Sequence, residues 1–158
     1  MIACMSARFR LVAMASLCLG LGLGLAACNG AIVDEPPGLI ENMKNMQYFT
    51  HKLALSVDAR NQSLADFYAH ELEESIEAAE TIPSYHDQPI GELVSGMLVP
   101  AFESLEEAIK TGDWMQADAR LDQMITHCNA CHTTTGHEKI RIKRVESNPF
   151  MQSFEPDH

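Results

Sequence analysis

Two cysteines and three histidines fall within thirteen residues of this 158-residue chain, in the stretch ITHCNACHTTTGH from 125 to 137. Cys128 and Cys131 are three residues apart, and His132 follows directly. Thiolates and imidazoles bind metals, and paired thiols also take part in redox exchange. The cluster therefore allows three kinds of chemistry: metal binding, dithiol exchange, or the anchoring of a larger group.

The order Cys-X-X-Cys-His is that of the c-type haem attachment sequence. Two thiols spaced by one helical turn reach both vinyl groups of one porphyrin, and the adjacent histidine then faces the iron as an axial ligand. We therefore predict one covalent haem c, bound through Cys128 and Cys131, with His132 as the proximal iron ligand.

Zinc binding and dithiol exchange are the two alternatives to haem. A structural zinc site usually needs four protein ligands, and the chain offers no second cysteine pair beside this one, although His127 and His137 are available. A thioredoxin-like dithiol begins a helix, where the helix dipole lowers the thiol pKa. Here the cysteine pair comes at the predicted end of a helix, so a haem-free thiol or zinc protein is the weaker interpretation.

The first thirty residues have the features of an export signal: Arg8 and Arg10 precede an uncharged run from Leu11 to Ala27. The run ends in Leu-Ala-Ala-Cys and resembles the lipobox of bacterial lipoproteins, which implies cleavage before Cys28 and lipidation of that residue. An ordinary signal peptide or an uncleaved anchor is the alternative, although the run is short for a membrane span. We therefore expect a signal peptide over 1–27 and a periplasm-facing, membrane-attached protein of the bacterial cell envelope.

Charge and cysteine content agree with this interpretation. The chain has 22 acidic and 11 basic residues, and loss of the two signal-peptide arginines changes its formal charge from −11 to −13. Such an acidic domain is a poor nucleic-acid binder. After Cys4 and Cys18 leave with the signal and Cys28 is lipidated, Cys128 and Cys131 are the two cysteines left in an oxidising compartment.

Residues 28–37 have the turn-rich character of a tether, and the fold should begin near residue 38. Apolar residues then recur at three- and four-residue spacing, which predicts four helices: residues 38–59, a second from Ser63 to a stop at Thr81, a third kinked at Pro100 and ending at Gly112, and a fourth after Asp113. Four helices with short connections predict an all-α, antiparallel up-down-up-down four-helix bundle. It should span 38–138, followed by a basic stretch (KIRIKR, 139–144) and an irregular tail, together 139–158.

A helical bundle with Cys-X-X-Cys-His near the end of its last helix resembles the cytochrome c-prime family and its low-spin relatives. The resemblance covers about residues 38–138 and is specific at Cys128, Cys131 and His132. In the low-spin relatives a methionine of the first helix binds the iron, whereas the gas-binding members place an apolar residue there. Met43, Met46 and His51 are the candidates in this chain, and Met46 suits the expected depth best. His51 and an open sixth position are the alternatives.

The function that these features predict is one-electron transfer by a lipid-anchored c-type cytochrome. A gas-binding or sensing haem protein is the alternative if the sixth position is open. No set of nucleophile, base and orienting residue is evident, so we do not expect an enzyme. The expected partner is a redox protein of the envelope that the sequence does not identify, and bundle faces of this kind also allow a homodimer.

Overall fold

A computed structural model describes residues 38–144 and 146–156. The predicted signal peptide (1–27), the tether (28–37) and Cys28 lie outside the described residues. Within them the chain is all-helical, without a β-strand, and forms a helical bundle of four helices: α1, Leu39–Asp58; α2, Gln62–Glu80; α3, which runs from Ile90 to Lys110 in three parts; and α4, Trp114–Thr134.

The first two helices are joined by a three-residue turn. Arg60 has a positive φ of 54°, which ends α1, and the side chain of Asn61 accepts a hydrogen bond from the backbone N–H of Leu64 at 3.1 Å. This is an N-cap, because it satisfies one of the amides that the first helical turn leaves unpaired. The bounds of α1 and α2 agree with the sequence-based bounds to within about two residues.

The third helix is irregular just before Pro100, the residue at which a kink is predicted. It consists of an α-helical turn (Ile90–Leu93), a π-helical turn (Val94–Leu98) and a longer α-helical part (Val99–Lys110). Pro100 is the second residue of that last part, and it has no amide hydrogen to donate to the preceding helical turn. The disturbance of the hydrogen-bonding pattern thus takes the form of a π-helical turn just before the proline.

The connection from α3 to α4 consists of three residues, 111–113, and contains the predicted helix end at Gly112 and the predicted start at Asp113. Gly112 has a φ of +67°, which glycine adopts without steric cost. The Asp113 carboxylate accepts a hydrogen bond from the backbone N–H of Gln116 at 3.1 Å and caps α4.

Apolar side chains of all four helices meet in one core. α1 packs mainly on α2, and α3 mainly on α4. The largest side chains that are almost fully buried come from every helix: Leu53, Leu72, Leu105, Ile109, Leu121 and Met124. Trp114 lies half-buried against this core.

After α4 the chain has no further helix in its described part, but it packs on the bundle. Phe154 is 6% exposed and belongs to the core. The side-chain amide of Asn61 donates to the carbonyl oxygens of Phe154 and Glu155 at 3.1 and 3.0 Å. The C-terminal segment, residues 136–144 and 146–156, is irregular as predicted and contributes to the fold as well.

Candidate functional site

An open cavity of about 400 Å³ lies at one end of the bundle. Its wall combines the first half of α1, the start of α3, the last turns of α4, the Tyr85–Gln88 turn and part of the C-terminal segment. The apolar lining is formed by Leu39, Ile40, Met43, Met46, Ile90, Val94, Leu98, Ile140 and Ile142. A volume of this size and an apolar lining are typical of sites for small molecules and cofactors, which span roughly 300–1,000 Å³.

All three residues of the predicted attachment motif line this cavity. Cys128, Cys131 and His132 lie in the last two turns of α4, at positions i, i+3 and i+4. Residues with this spacing share one face of a helix, so the helix itself presents two thiols and an imidazole to the same space. Both cysteines are free thiols.

The ionisation of the two thiols differs from that of a reactive dithiol. Burial raises the pKa of Cys128 from 9.0 to about 11, with a smaller contribution from the neighbouring Cys131. Burial also raises the pKa of Cys131. A thioredoxin-like pair depends on a lowered thiol pKa. Cys128 and Cys131 therefore stay protonated near neutral pH, which weakens the dithiol alternative.

The imidazole of His132 is held through one of its two nitrogens. Nδ1 lies 2.8 Å from the backbone carbonyl oxygen of Ile140. A carbonyl oxygen only accepts hydrogen bonds, so Nδ1 carries the proton, and in the neutral ring Nε2 keeps its lone pair. Histidines that bind metals through Nε2 usually have their other nitrogen occupied in this way.

A second contact fixes the chain that supplies this carbonyl group. The side-chain amide of Asn129, the first intervening residue of the motif, donates to the carbonyl oxygen of Ile142 at 2.8 Å. The side-chain oxygen of Asn129 accepts a hydrogen bond from the backbone N–H of Ile142, also at 2.8 Å. The side chain of Asn129 thus connects residues 140–142 to α4 through two hydrogen bonds.

Two of the three predicted iron ligands from α1 line the cavity, and the third does not. Met46 is 7% exposed and lines the cavity, and Met43 also lines it. His51 is half-buried but is not one of the lining residues, which along α1 end at Thr50. The structure thus brings Met46 to the same cavity as Cys128 and His132, and iron binding by Met46 stays a prediction.

The part of the chain that the structure describes contains no set of side chains arranged to bind zinc. No group of three or more histidine, cysteine, aspartate or glutamate side chains is placed to hold a metal ion there. His127 and His137 do line the cavity. A haem site would need only one protein ligand on its proximal side, and His132 stays the predicted residue for it.

The basic stretch has two different roles in the structure. Arg144 binds carboxylates near the far end of α1 and on α4: Asp58 at 2.7 Å, Asp118 at 2.7 Å and Asp122 at 3.2 Å. Lys139, Arg141 and Lys143 are exposed. Between them, Ile140 and Ile142 face the cavity. The basic charges of this stretch do not predict this contact, but the alternation of its two isoleucines with basic residues indicates an extended chain with one apolar side.

The turn before α3 is a further part of the cavity wall, and the sequence contains no clear signal for it. Tyr85 and Gln88 exchange two backbone hydrogen bonds of 3.0 Å, and both side chains line the cavity. His86 and Asp87 between them have φ values of 47° and 63°. Two positive φ angles indicate a type I′ turn, for which the usual signal, a glycine, is absent here.

Among the described residues, none of the helices is long and apolar enough to cross a membrane. No protein-family model, curated protein or solved structure matches this chain.

Proposed function

We propose that this chain is a c-type cytochrome: an antiparallel up-down-up-down four-helix domain that carries one covalent haem and transfers single electrons in the bacterial cell envelope. The observation that carries the proposal is the joint placement of Cys128, Cys131 and His132 on the wall of one apolar cavity, with Nδ1 of His132 already bonded to a carbonyl oxygen.

Each of the three residues has a defined task. The thiols of Cys128 and Cys131 would each hold the porphyrin by adding across one vinyl group, with sulfur on the carbon next to the ring and the thiol hydrogen on the terminal carbon, so that no net redox change is needed. Nε2 of His132 would be the nitrogen available to bind the iron. The bound haem would supply an iron that changes between ferric and ferrous states.

Met46 is the proposed second iron ligand. It is buried and lines the cavity, and a methionine thioether bound to haem iron raises the reduction potential. An iron held by two protein ligands would exchange electrons with little rearrangement. A gas-binding function requires the opposite, an open position, and the spectrum of the reduced protein distinguishes the two.

The cellular context of the proposal rests on the N-terminal sequence. Lipidation of Cys28 would anchor the domain to the membrane, where its partner would be another redox protein of the envelope. Replacement of that cysteine, Cys28→Ser, should release the protein into the soluble envelope fraction. Unchanged membrane association of this variant would contradict the lipid anchor.

The proposal is tested by expression with export and a haem maturation system, followed by haem staining after denaturing electrophoresis. The wild-type chain should keep its haem on the gel. His132→Gln should abolish or strongly reduce the stain, whereas His137→Gln, a change at another histidine of the same cavity, should leave it intact. A wild-type chain that is exported, folded and unstained would overturn the proposal.

A further inference from the structure

We infer that Asn129 is a positioning residue for the axial histidine, acting through the chain segment 140–142. The inference rests on the proposed function, because it concerns how His132 is presented to a haem iron. Asn129 occupies an intervening position of the motif, which haem attachment itself leaves free to vary. Its side chain is half-buried and faces the segment that follows the helix.

The two hydrogen bonds of Asn129 define the register of this segment. Its amide group donates to the carbonyl oxygen of Ile142 and accepts from the N–H of the same residue, both at 2.8 Å. This reproduces the doubly bonded pair of an antiparallel ladder, with a side chain in place of one strand. A shift of one residue would break both bonds, so the pairing holds the segment in a single register.

The same register places the carbonyl group of Ile140 next to the imidazole of His132. In an extended chain, the backbone groups of residues i and i+2 point to the same side. Since the N–H and C=O groups of Ile142 point toward α4, the C=O group of Ile140 does so as well. It meets Nδ1 of His132 at 2.8 Å. The side chains of Ile140 and Ile142 both reach the cavity, as the same alternation requires.

The remaining attachments of the segment lie at its ends. On one side the backbone N–H of Ile140 donates to His137 at 2.9 Å, and the N–H of His137 donates to the carbonyl oxygen of His132 at 2.7 Å. On the other side Arg144 binds its three aspartates. Asn129 contributes the contacts between these ends that fix the path of residues 140–142 along α4.

The bond from Nδ1 to the carbonyl oxygen affects the iron through the ligand. It sets the tautomer and the ring orientation, and it makes Nε2 a more basic donor. A more basic axial ligand favours ferric over ferrous iron. Loss of the contacts made by Asn129 should therefore raise the reduction potential without removing the haem, since Cys128 and Cys131 are untouched.

The experiment uses the full chain with its haem and compares Asn129→Leu with wild type in two measurements. The first is the midpoint potential, which should rise by about 59 mV. For one electron this corresponds to a tenfold decrease in the ferric-to-ferrous ratio at a given ambient potential. The second is hydrogen exchange of peptides covering 139–144, which should become faster. Asn129→Asp, which keeps the acceptor for the N–H of Ile142, should give an intermediate exchange rate. Its added negative charge favours ferric iron, so its potential should lie below that of Asn129→Leu.

Thr133→Val is the matched control. It removes a side-chain hydrogen bond on the same turns of α4, from Thr133 to the carbonyl oxygen of Asn129 at 3.0 Å, and leaves the 140–142 pairing intact. Neither the potential nor the exchange should change. Covalent haem with an unchanged potential in both Asn129 variants would overturn the inference. A wild-type chain without covalent haem would instead overturn the proposed function and with it the role toward iron, while hydrogen exchange still reports the pairing.

Discussion

The Nζ atom of Lys52 in α1 lies 2.7 Å from Oε1 of Gln152, a hundred positions later in the chain. The ammonium group is also within 4.9–5.1 Å of the ring centres of Tyr48, Tyr68 and Phe150. Lys52 is 9% exposed, so this cation is held by aromatic faces and an amide oxygen. The contact makes the C-terminal segment part of the folded domain.

Replacement of this lysine, Lys52→Met, should lower the free energy of unfolding by about 2 kcal/mol, because it removes a charged hydrogen bond and the cation–π contacts. The loss should be nearly the same at low and high salt, since the partners are uncharged. Urea unfolding measures it. Lys44→Met is the control, because Lys44 forms an exposed ion pair with Glu41 and should contribute little. Equal effects of the two changes would contradict the account of Lys52.

Gly91, the second residue of α3, allows the start of this helix to approach the end of α2. A Cβ atom at this position would lie against the carbonyl oxygen of Glu80, and the backbone N–H of Gly91 donates to Ile82 at 2.8 Å. We expect Gly91→Ala to destabilise the fold by about 1–3 kcal/mol, since the close atom is backbone and cannot move aside.

Gly96→Ala is the matched change in the same helix, because a Cβ atom there meets nothing within 4 Å. It should be neutral or stabilise by up to about 1 kcal/mol. Thermal unfolding of the two variants side by side provides the measurement, and a smaller loss for Gly91→Ala than for Gly96→Ala would show that the close approach is not required.

The proposed iron ligand Met46 can be replaced by leucine at almost constant volume. Met46→Leu should leave stability within about 1.5 kcal/mol and convert a low-spin, six-coordinate iron into one that binds carbon monoxide. His51→Leu, on the same helix but outside the cavity lining, should leave the spectrum unchanged. The optical spectrum of the reduced protein decides the question. A wild-type protein that already binds carbon monoxide would assign the open-site function instead.

The raised thiol pKa of Cys128 gives a prediction for the chain made without haem attachment. Thiolate is the reactive form, and the shift from 9.0 to about 11 reduces its fraction about a hundredfold at pH 8. In a Cys131→Ser background, alkylation of Cys128 should be slow in the folded protein and rise about tenfold per pH unit up to pH 11. A rate that levels off below pH 8 would support the dithiol alternative.

The parts of this structure that were predictable from sequence have local signals. Helix ends follow from Gly112 and Asp113, and the cavity-lining triad follows from the spacing of Cys128, Cys131 and His132. The pairing of Asn129 with Ile142 and the contact between Lys52 and Gln152 have no such signal. They join a helix to an irregular segment, where partners are set by the path of the whole chain and not by any local period.

The most direct test of the haem assignment is the spectrum of the reduced protein in alkaline pyridine, which reports how many vinyl groups are saturated. The wild-type chain should give the spectrum of haem with two thioether bonds. Cys128→Ser and Cys131→Ser should each give, at reduced yield, that of haem with one. A wild-type protein whose haem is removed by acidic organic solvent, or which carries none after maturation and export, would contradict the account.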